Sequence, residues 1–415
     1  MTATISRIST VLCFLTALSL CGCSAPPEAE APRPESVESN VRYVAENALT
    51  GGANAVVTTG SPLAHTAQFF ALDRDGNLIG AGDAAAQTAR VLDSIDSALA
   101  EAGSSLTQVV KLNVYLRNSD VTAAVKTGIA ARFPLGSRPA ISMVEGAFSN
   151  PDALIAMDAV ATSRQGPAAG VTVRKRSAAL AGPGGANHVS VLPAGTRVYI
   201  SGRAAREGAT AEATRATMRQ IKDTLAFLGL GLEHVVHVKS FLQPIAEMSA
   251  AEAQIIEFFG GDAPPMAFTE WISGNPIEIE IIATSPEGPG SQPLEYLTPP
   301  GDEASPVFSR IVRLYHPATI YVSGLWGAEG TSGSDQIHSI FASLKQVLNE
   351  TGSDLNHLAK ATYYPSADDP STKLNEIRPQ YYDPKSPPAA SKALVAGTGF
   401  AGRTITLDMI AVPAR

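Results

Sequence analysis

The sequence contains little cysteine, and its three cysteines, Cys13, Cys21 and Cys23, all lie near the start of the 415-residue chain. Beyond Cys23 the chain can form no disulfide and offers no thiol nucleophile or cysteine metal ligand. It also lacks a Walker loop, so the sequence predicts no cofactor and no metal. The fold must then be stabilised by its apolar cores.

An excess of positive charge is missing as well. The formal net charge is −8 at pH 7, and removing residues 1–22, which contain Arg7 and no acid, makes it −9. A negatively charged surface repels phosphate backbones. We therefore expect no nucleic acid partner, and a ribonuclease function is the weakest of the alternatives.

Apolar runs long enough to span a bilayer are also lacking. The run Val11–Leu20 follows Arg7 and is short, which is typical of a signal-peptide core. It leads into Leu20-Cys21-Gly22-Cys23, which resembles a bacterial lipobox with the small residue Gly22 before the lipidated cysteine. We predict a lipoprotein signal peptide over residues 1–22 and lipidation of Cys23. A plain secretory signal that is cut nearby is the alternative.

Residues 23–42 are rich in proline, glutamate and alanine and contain little to bury. This composition predicts a disordered tether. The predicted location is the cell envelope, on the periplasmic or extracytoplasmic face, with the lipid as the only membrane attachment.

The chain after residue 42 repeats one pattern three times. Each copy has an amphipathic helix with apolar residues at i, i+3 and i+7, followed by a glycine suited to a left-handed helix end. The apolar positions are Leu92, Ile95 and Leu99; Met218, Ile221 and Leu225; and Phe341, Leu344 and Leu348. The glycines are Gly103, Gly229 and Gly352.

Each glycine precedes a predicted strand, a second helix and two closing strands. The first strands are Val109–Leu116, Val235–Leu242 and Leu358–Tyr364, and the second helices are Ala123–Phe133, Ala250–Phe259 and Thr372–Tyr382. Proline- and glycine-rich linkers are expected at Arg164–Gly170 and Ser285–Pro300. The sequence thus predicts three modules, over residues 43–165, 171–286 and 295–415.

Several short motifs resemble the RidA family, also called YjgF or endoribonuclease L-PSP proteins. They are Tyr199-Ile200-Ser201-Gly202, Tyr321-Val322-Ser323-Gly324, Ala102-Gly103-Ser104-Ser105-Leu106 and Arg138-Pro139-Ala140. The resemblance implies an α+β, chorismate-mutase-like fold, with two helices on one face of a mixed sheet. Family members form homotrimers with a small-molecule site in each cleft between subunits. Three modules would close as an intrachain pseudo-trimer, so a monomeric chain is expected.

The resemblance also implies where a site would lie. In active members an arginine holds the carboxylate of an imine or enamine, and a glutamate assists the attacking water. The arginine positions hold Ile141, Met266 and Ala390, so the clamp is absent from all three modules. Of the three glutamate positions only Glu278 keeps the acid. Substitute anchors would be Arg138, Arg203 and Arg403.

The leading hypothesis is a RidA-like pseudo-trimer that binds a small molecule in its clefts and has a degenerate deaminase site. The first alternative is an active imine or enamine deaminase, a hydrolase that uses Glu278 with a different substrate anchor. A weaker alternative is a protein-interaction scaffold in the cell envelope.

Overall fold

Three glycines mark the helix ends that the sequence predicts. Gly103, Gly229 and Gly352 have φ values of 68°, 70° and 76°, a left-handed conformation that glycine adopts without steric cost. The computed structural model describes residues 40–206, 208–288 and 290–414. The predicted signal peptide, Cys23 and most of the tether lie outside the described residues.

The elements fall into three segments, which we name first, second and third. The first contains β1 (Val41–Glu46), β2 (Ala53–Thr59), β3 (Leu63–Thr66), β4 (Phe69–Phe70), α1 (Ala84–Glu101), β5 (Val109–Leu116), α2 (Thr122–Arg132), β6 (Ala140–Glu145) and β7 (Ile155–Thr162). The second contains β8 (Val173–Lys175), β9 (Val189–Leu192), β10 (Arg197–Arg203), α3 (Thr210–Phe227), β11 (Val235–Leu242), α4 (Met248–Phe258), β12 (Met266–Glu270) and β13 (Ile277–Thr284). The third contains β14 (Leu294–Leu297), β15 (Ile311–Leu314), β16 (Ala318–Val322), β17 (Leu325–Trp326), α5 (Gly333–Glu350), β18 (Leu358–Pro365), α6 (Asp368–Ile377), β19 (Ala389–Lys392) and β20 (Ile405–Ala411).

The helices bury the faces that the sequence predicts. Leu92, Ile95 and Leu99 of α1 are fully buried, and the corresponding residues of α3 and α5 are at most 1% exposed. Each segment's two helices contact each other and pack over that segment's own strands together with strand residues of a neighbouring segment, giving three apolar clusters. The mixed α+β architecture agrees with the prediction.

The strands form two sheets that mix the segments. A 14-stranded sheet runs β19-β18-β20-β16-β2-β6-β5-β7-β3-β9-β8, with β1, β4 and β17 attached at its side, and a 6-stranded sheet runs β12-β11-β13-β10-β15-β14. Within each segment the central strand has a parallel neighbour on one side and an antiparallel neighbour on the other.

The second strand of each segment pairs with a strand of another segment. Val56 of β2 lies opposite Tyr321 of β16. The strand β9 pairs with β3, and β15 pairs with β10, both antiparallel. Backbone hydrogen bonds therefore join the first segment to the third, the second to the first and the third to the second.

Several predicted boundaries differ from the structure. The helix predicted over Thr372–Tyr382 is wrong in position: α6 ends at Ile377, before a short 3₁₀ turn that contains Pro379. Pro379 has no backbone N–H and cannot continue the α-helical hydrogen-bond pattern, which explains the earlier end. The strand β14 lies inside the predicted linker Ser285–Pro300, and β1 begins before the predicted module start at residue 43.

No helix in the described part of the chain is both long enough and apolar enough to cross a membrane.

Candidate functional site

The three positions of the missing arginine lie where segments meet. The backbone N–H of Ile141 donates to the Ser323 hydroxyl over 2.7 Å, and the Gly324 N–H donates to the Ile141 carbonyl over 2.9 Å. These contacts join the first and third segments. The side chain of Ile141 is fully buried in apolar surroundings, so this cleft contains no charge where the clamp would lie.

The other two positions are arranged in the same way. The Gln68 N–H donates to the Met266 carbonyl over 2.9 Å, which joins the first and second segments. Beside Ala390, the Ser391 hydroxyl accepts from the Gly202 N–H over 3.2 Å, which joins the second and third. Ile141, Met266 and the residue after Ala390 thus each form a hydrogen bond with another segment.

Glu278 lies in the cleft between the second and third segments. Its carboxyl covers Gly202 so closely that a Cβ atom added there would lie 1.9 Å from Glu278 Oε1. Burial raises the pKa of Glu278 to about 7, although the Ser391 hydroxyl and the Arg310 guanidinium act in the opposite direction. The carboxyl therefore exchanges its proton near neutral pH, as acid–base chemistry requires.

Arg310 is the arginine that the structure brings close to Glu278. Its guanidinium donates to the Gly202 carbonyl over 2.9 Å, directly beside the point that the Glu278 carboxyl covers. It is also 3.3 Å from Asp302 Oδ2. Burial and the neighbouring Arg203 guanidinium lower the pKa of Arg310, although the carboxylates of Asp302 and Glu278 act in the opposite direction.

The predicted substitute anchors are not brought together. Arg203 belongs to the same cleft and is paired with Asp302 through both terminal nitrogens, over 2.8 and 2.5 Å. Arg138 donates to the Gly51 carbonyl over 3.0 Å at a surface pocket of the first segment. Arg403 donates to the Gly327 carbonyl in the third segment. Only Arg203 therefore lies near Glu278, and a carboxylate already occupies it.

The sequence alone does not reveal Arg310, because this residue precedes a strand of the third segment, whereas Glu278 belongs to the second. One signal could have found it. The backbone carbonyls of Asn54, His188 and Arg310 accept hydrogen bonds from the backbone N–H groups of Ser323, Ala67 and Ser201, respectively. Asn54, His188 and Arg310 therefore occupy matching positions in the three segments. Aligning the three segments would have placed an arginine there in one segment alone.

A second group of charges lies where all three segments meet, around a cavity of about 50 Å³. The Lys111 ammonium is 2.7 Å from Asp408, and the Lys360 ammonium is 2.8 Å from Glu280. Burial alone would raise the pKa of Asp408, but the ammonium groups of Lys111, Lys239 and Lys360 hold it below the usual value. Both pairs join residues of different segments.

The third acid of this group is Asp158. Where the other two acids pair with a lysine, Asp158 interacts with a histidine, His237. Lys111, His237 and Lys360 occupy matching positions on the central strands of the three segments. On the neighbouring antiparallel strand, each lies opposite the residue two positions after that segment's acid, which is Asp158, Glu280 or Asp408. Asp158 accepts from the Asn113 amide and the Tyr115 hydroxyl over 2.8 and 2.7 Å. Burial lowers the pKa of His237, although the Asp158 carboxylate opposes this shift. His237 is therefore neutral at pH 7.

Known proteins resemble this chain over single segments. The family model described as Endoribonuclease L-PSP matches residues 44–163 and 181–285. A 3-aminoacrylate deaminase, RutC, of Acinetobacter baylyi is 35% identical over 104 residues, which are 25% of this chain and 82% of that protein.

Two solved structures are also similar to parts of this chain. A Rid-family protein from Yersinia pestis is 30% identical, with 30% of this chain and 99% of that chain covered and a TM-score of 0.28. A YjgF-family protein from Neisseria meningitidis is 20% identical, with coverages of 29% and 94% and a TM-score of 0.22. Because the family model matches more than half of this chain, the chain belongs to the endoribonuclease L-PSP family, the RidA or YjgF proteins.

Proposed function

We propose that this RidA-family chain is an intrachain pseudo-trimer that binds a small carboxylate-bearing molecule in the cleft between its second and third modules. The modules would be residues 43–165, 171–286 and 295–415. Support comes from the hydrogen bonds that join each segment to both of the others. Fusion in one chain keeps neighbouring modules at an effective concentration of roughly millimolar or above.

One observation carries the choice of cleft. Glu278 and Arg310 meet beside Gly202, so a carboxyl that titrates near neutral pH and a guanidinium lie together. The corresponding positions in the other clefts hold Ala156 and Thr406 in place of the acid, and His188 and Asn54 in place of the arginine. The acid and the arginine occur together only in the cleft between the second and third segments, within the described chain.

The ligand class follows from Arg310. A guanidinium presents two parallel N–H donors that match a carboxylate, and a lysine cannot reproduce this geometry. Asp302 now accepts from Arg203 and lies beside Arg310, so the chain's own carboxylate occupies the anchor. A ligand carboxylate would compete with Asp302 for these guanidinium groups.

Hydrolysis of an imine or enamine is the second candidate function. The pKa of Glu278, about 7, favours it, because a carboxyl with this pKa can orient water and transfer a proton at physiological pH. The first candidate requires binding alone, whereas the second also requires turnover.

Two measurements on residues 24–415 test these functions. For binding, calorimetry with pyruvate should give saturable heat that Arg310→Ala abolishes and that Arg138→Ala, a control in the first segment, leaves unchanged. Equal binding by Arg310→Ala and the parent protein would refute the proposed anchor. For turnover, ammonia release from 2-aminoacrylate-type imines should disappear in Glu278→Gln; a rate equal to background in the parent refutes hydrolysis and leaves binding as the function.

We also propose export as a lipoprotein of the cell envelope, on the basis of the sequence around Cys23. In this case Cys23→Ser should move the protein from the membrane fraction to the soluble fraction without changing its melting temperature. Membrane association that persists in this variant would contradict lipidation at Cys23.

A further inference from the structure

The contact between the first and second segments contains a cavity of about 150 Å³. Phe69 and Phe70 of β4, Phe268 of β12, Leu180 and Met248 form much of its wall. Phe69, Phe268 and Leu180 are each at most 6% exposed, so the wall is fixed by packing on both segments. Apolar cavities of about 150 Å³ accommodate a molecule the size of benzene.

A single acid interrupts this apolar wall. Glu252 of α4 is the one ionisable side chain among the described residues that line the cavity. The polar neighbour Gln68 is already satisfied, because its amide donates to the Phe268 carbonyl over 3.0 Å and accepts from the Phe268 N–H over 3.2 Å. Within the described chain Glu252 has no hydrogen bond and no ion pair, and burial raises its pKa to about 7.

Glu252 is half-buried beside this apolar wall and has no partner, so its carboxyl is harder to ionise than one in water, and a ligand cation would offset this cost. Aromatic walls favour the same ligand, because ring faces attract ammonium groups. Met266, at the clamp position of this cleft, offers nothing to hold an anion. The charge preference of the cleft is thus opposite to that of the cleft containing Arg310.

We propose that the cavity between the first and second segments binds a small organic amine, with its ammonium group on Glu252 and its apolar body between Phe69, Phe70 and Phe268. This inference does not depend on the proposed function, because neither Glu278 nor Arg310 lines the cavity. The chain would then carry two sites of opposite charge preference.

Benzylamine, benzyl alcohol and benzoate share one shape and differ in charge, so they serve as probes for calorimetry on residues 24–415. Benzylamine should bind about tenfold more tightly than benzyl alcohol, since a hydrogen bond to a charged group supplies that difference. Benzoate should not bind in the cavity. Equal affinity for the amine and the alcohol, or no saturable binding of the amine, would overturn the proposal.

Variants locate the binding. Glu252→Gln should reduce the affinity for benzylamine to that for benzyl alcohol, whereas Glu257→Gln, an exposed position on the same helix, should leave both unchanged. Leu180→Trp fills the cavity and should abolish binding of both probes, which keeps the test decisive if Glu252→Gln folds poorly. A preference for the amine that survives Glu252→Gln, or amine binding that survives Leu180→Trp, refutes the site.

Discussion

The ammonium nitrogen of Lys111 lies 2.7 Å from a carboxylate oxygen of Asp408, although 297 positions separate the two residues in the chain. The same ammonium also donates to the Ser142 hydroxyl and to the Val322 carbonyl, both over 2.7 Å. One side chain of the first segment thus satisfies polar groups of the third. This relationship makes the contact between these two segments sensitive to charge.

Removing the lysine leaves Asp408 as a buried, unpaired carboxylate. Lys111→Met should therefore lower the free energy of unfolding by about 3–5 kcal/mol, measured by urea titration. Lys111→Met combined with Asp408→Leu should recover much of this loss. Arg132→Met is the control, because Arg132 pairs with Asp93 over the same 2.7 Å at an exposed position, and it should cost less than about 1 kcal/mol. Equal losses for Lys111→Met and Arg132→Met would contradict the prediction.

The close approach of Gly202 to Glu278 predicts the effect of a single methyl group. Gly202→Ala places a Cβ atom 1.9 Å from Glu278 Oε1, so the flexible carboxyl must move away. We expect the pKa of Glu278 to fall from about 7 toward its ordinary value of 4.5, followed by ¹³C NMR of the carboxyl carbon. Gly274→Ala, which meets no atom within 4 Å, is the control. An unchanged titration in Gly202→Ala would show that the carboxyl lies elsewhere.

Stability should depend on pH through Glu278. Its pKa is about 7 in the folded protein and 4.5 ordinarily, so the folded state holds the proton more tightly. The resulting stabilisation is complete below pH 4.5 and is lost as the pH rises through 7. Relative to the parent, Glu278→Gln should gain roughly 3 kcal/mol between pH 4.5 and pH 8, with no such gain in the exposed control Glu257→Gln. A pH-independent difference in urea titrations would argue against the raised pKa.

The buried histidines predict the opposite trend in acid. Burial lowers the pKa of His65 and of His237, so the unfolded chain binds protons that the folded protein does not. Stability from this source is lost as the pH falls below 6.5. His237→Gln should reduce the loss by up to about 1.4 kcal/mol for each pH unit, compared with the exposed control His338→Gln. Identical pH profiles for the two variants would mean that His237 takes up a proton without unfolding.

A one-chain particle also predicts a mass. Residues 24–415 should sediment near 41 kDa, the 43.1 kDa of the full chain less about 110 Da for each leader residue. A stable species three times heavier would mean that the modules do not close within one chain. Concentration-dependent mass would lead to the same conclusion.

Much of the fold could be predicted because the spacing of apolar residues indicates which face of a helix or strand is buried. The strands Val109–Leu116 and Val235–Leu242 have the predicted bounds, and the helix glycines have the predicted conformation. The third segment was harder. The sequence predicts the first of its two closing strands at Lys392–Ala396, but β19 covers Ala389–Lys392. Ala393 and Val395 still donate to the Tyr363 and Pro365 carbonyls, so the extended backbone continues past the assigned strand.

The candidate site was predicted less completely, because its geometry depends on contacts between segments. Glu278 follows from a local motif, but its neighbour Arg310 belongs to another segment and has no motif of its own. The spacing of His234 and His237 argues against a metal pair, but it does not reveal that His237 corresponds to Lys111 and Lys360 in the other segments. Sequence periodicity describes one segment at a time and does not show which residues of different segments meet.

The pairing of β2 with β16 has a consequence for synthesis on the ribosome. The strand β2 is made among the first elements, whereas its partner emerges only after the first two segments are complete. Until then one edge of β2 retains free N–H and C=O groups, and such an edge can recruit a strand from another molecule. The nascent chain is therefore most prone to aggregation before Ala318–Val322 is translated, and a translation pause that lengthens this interval would reduce the yield of folded protein.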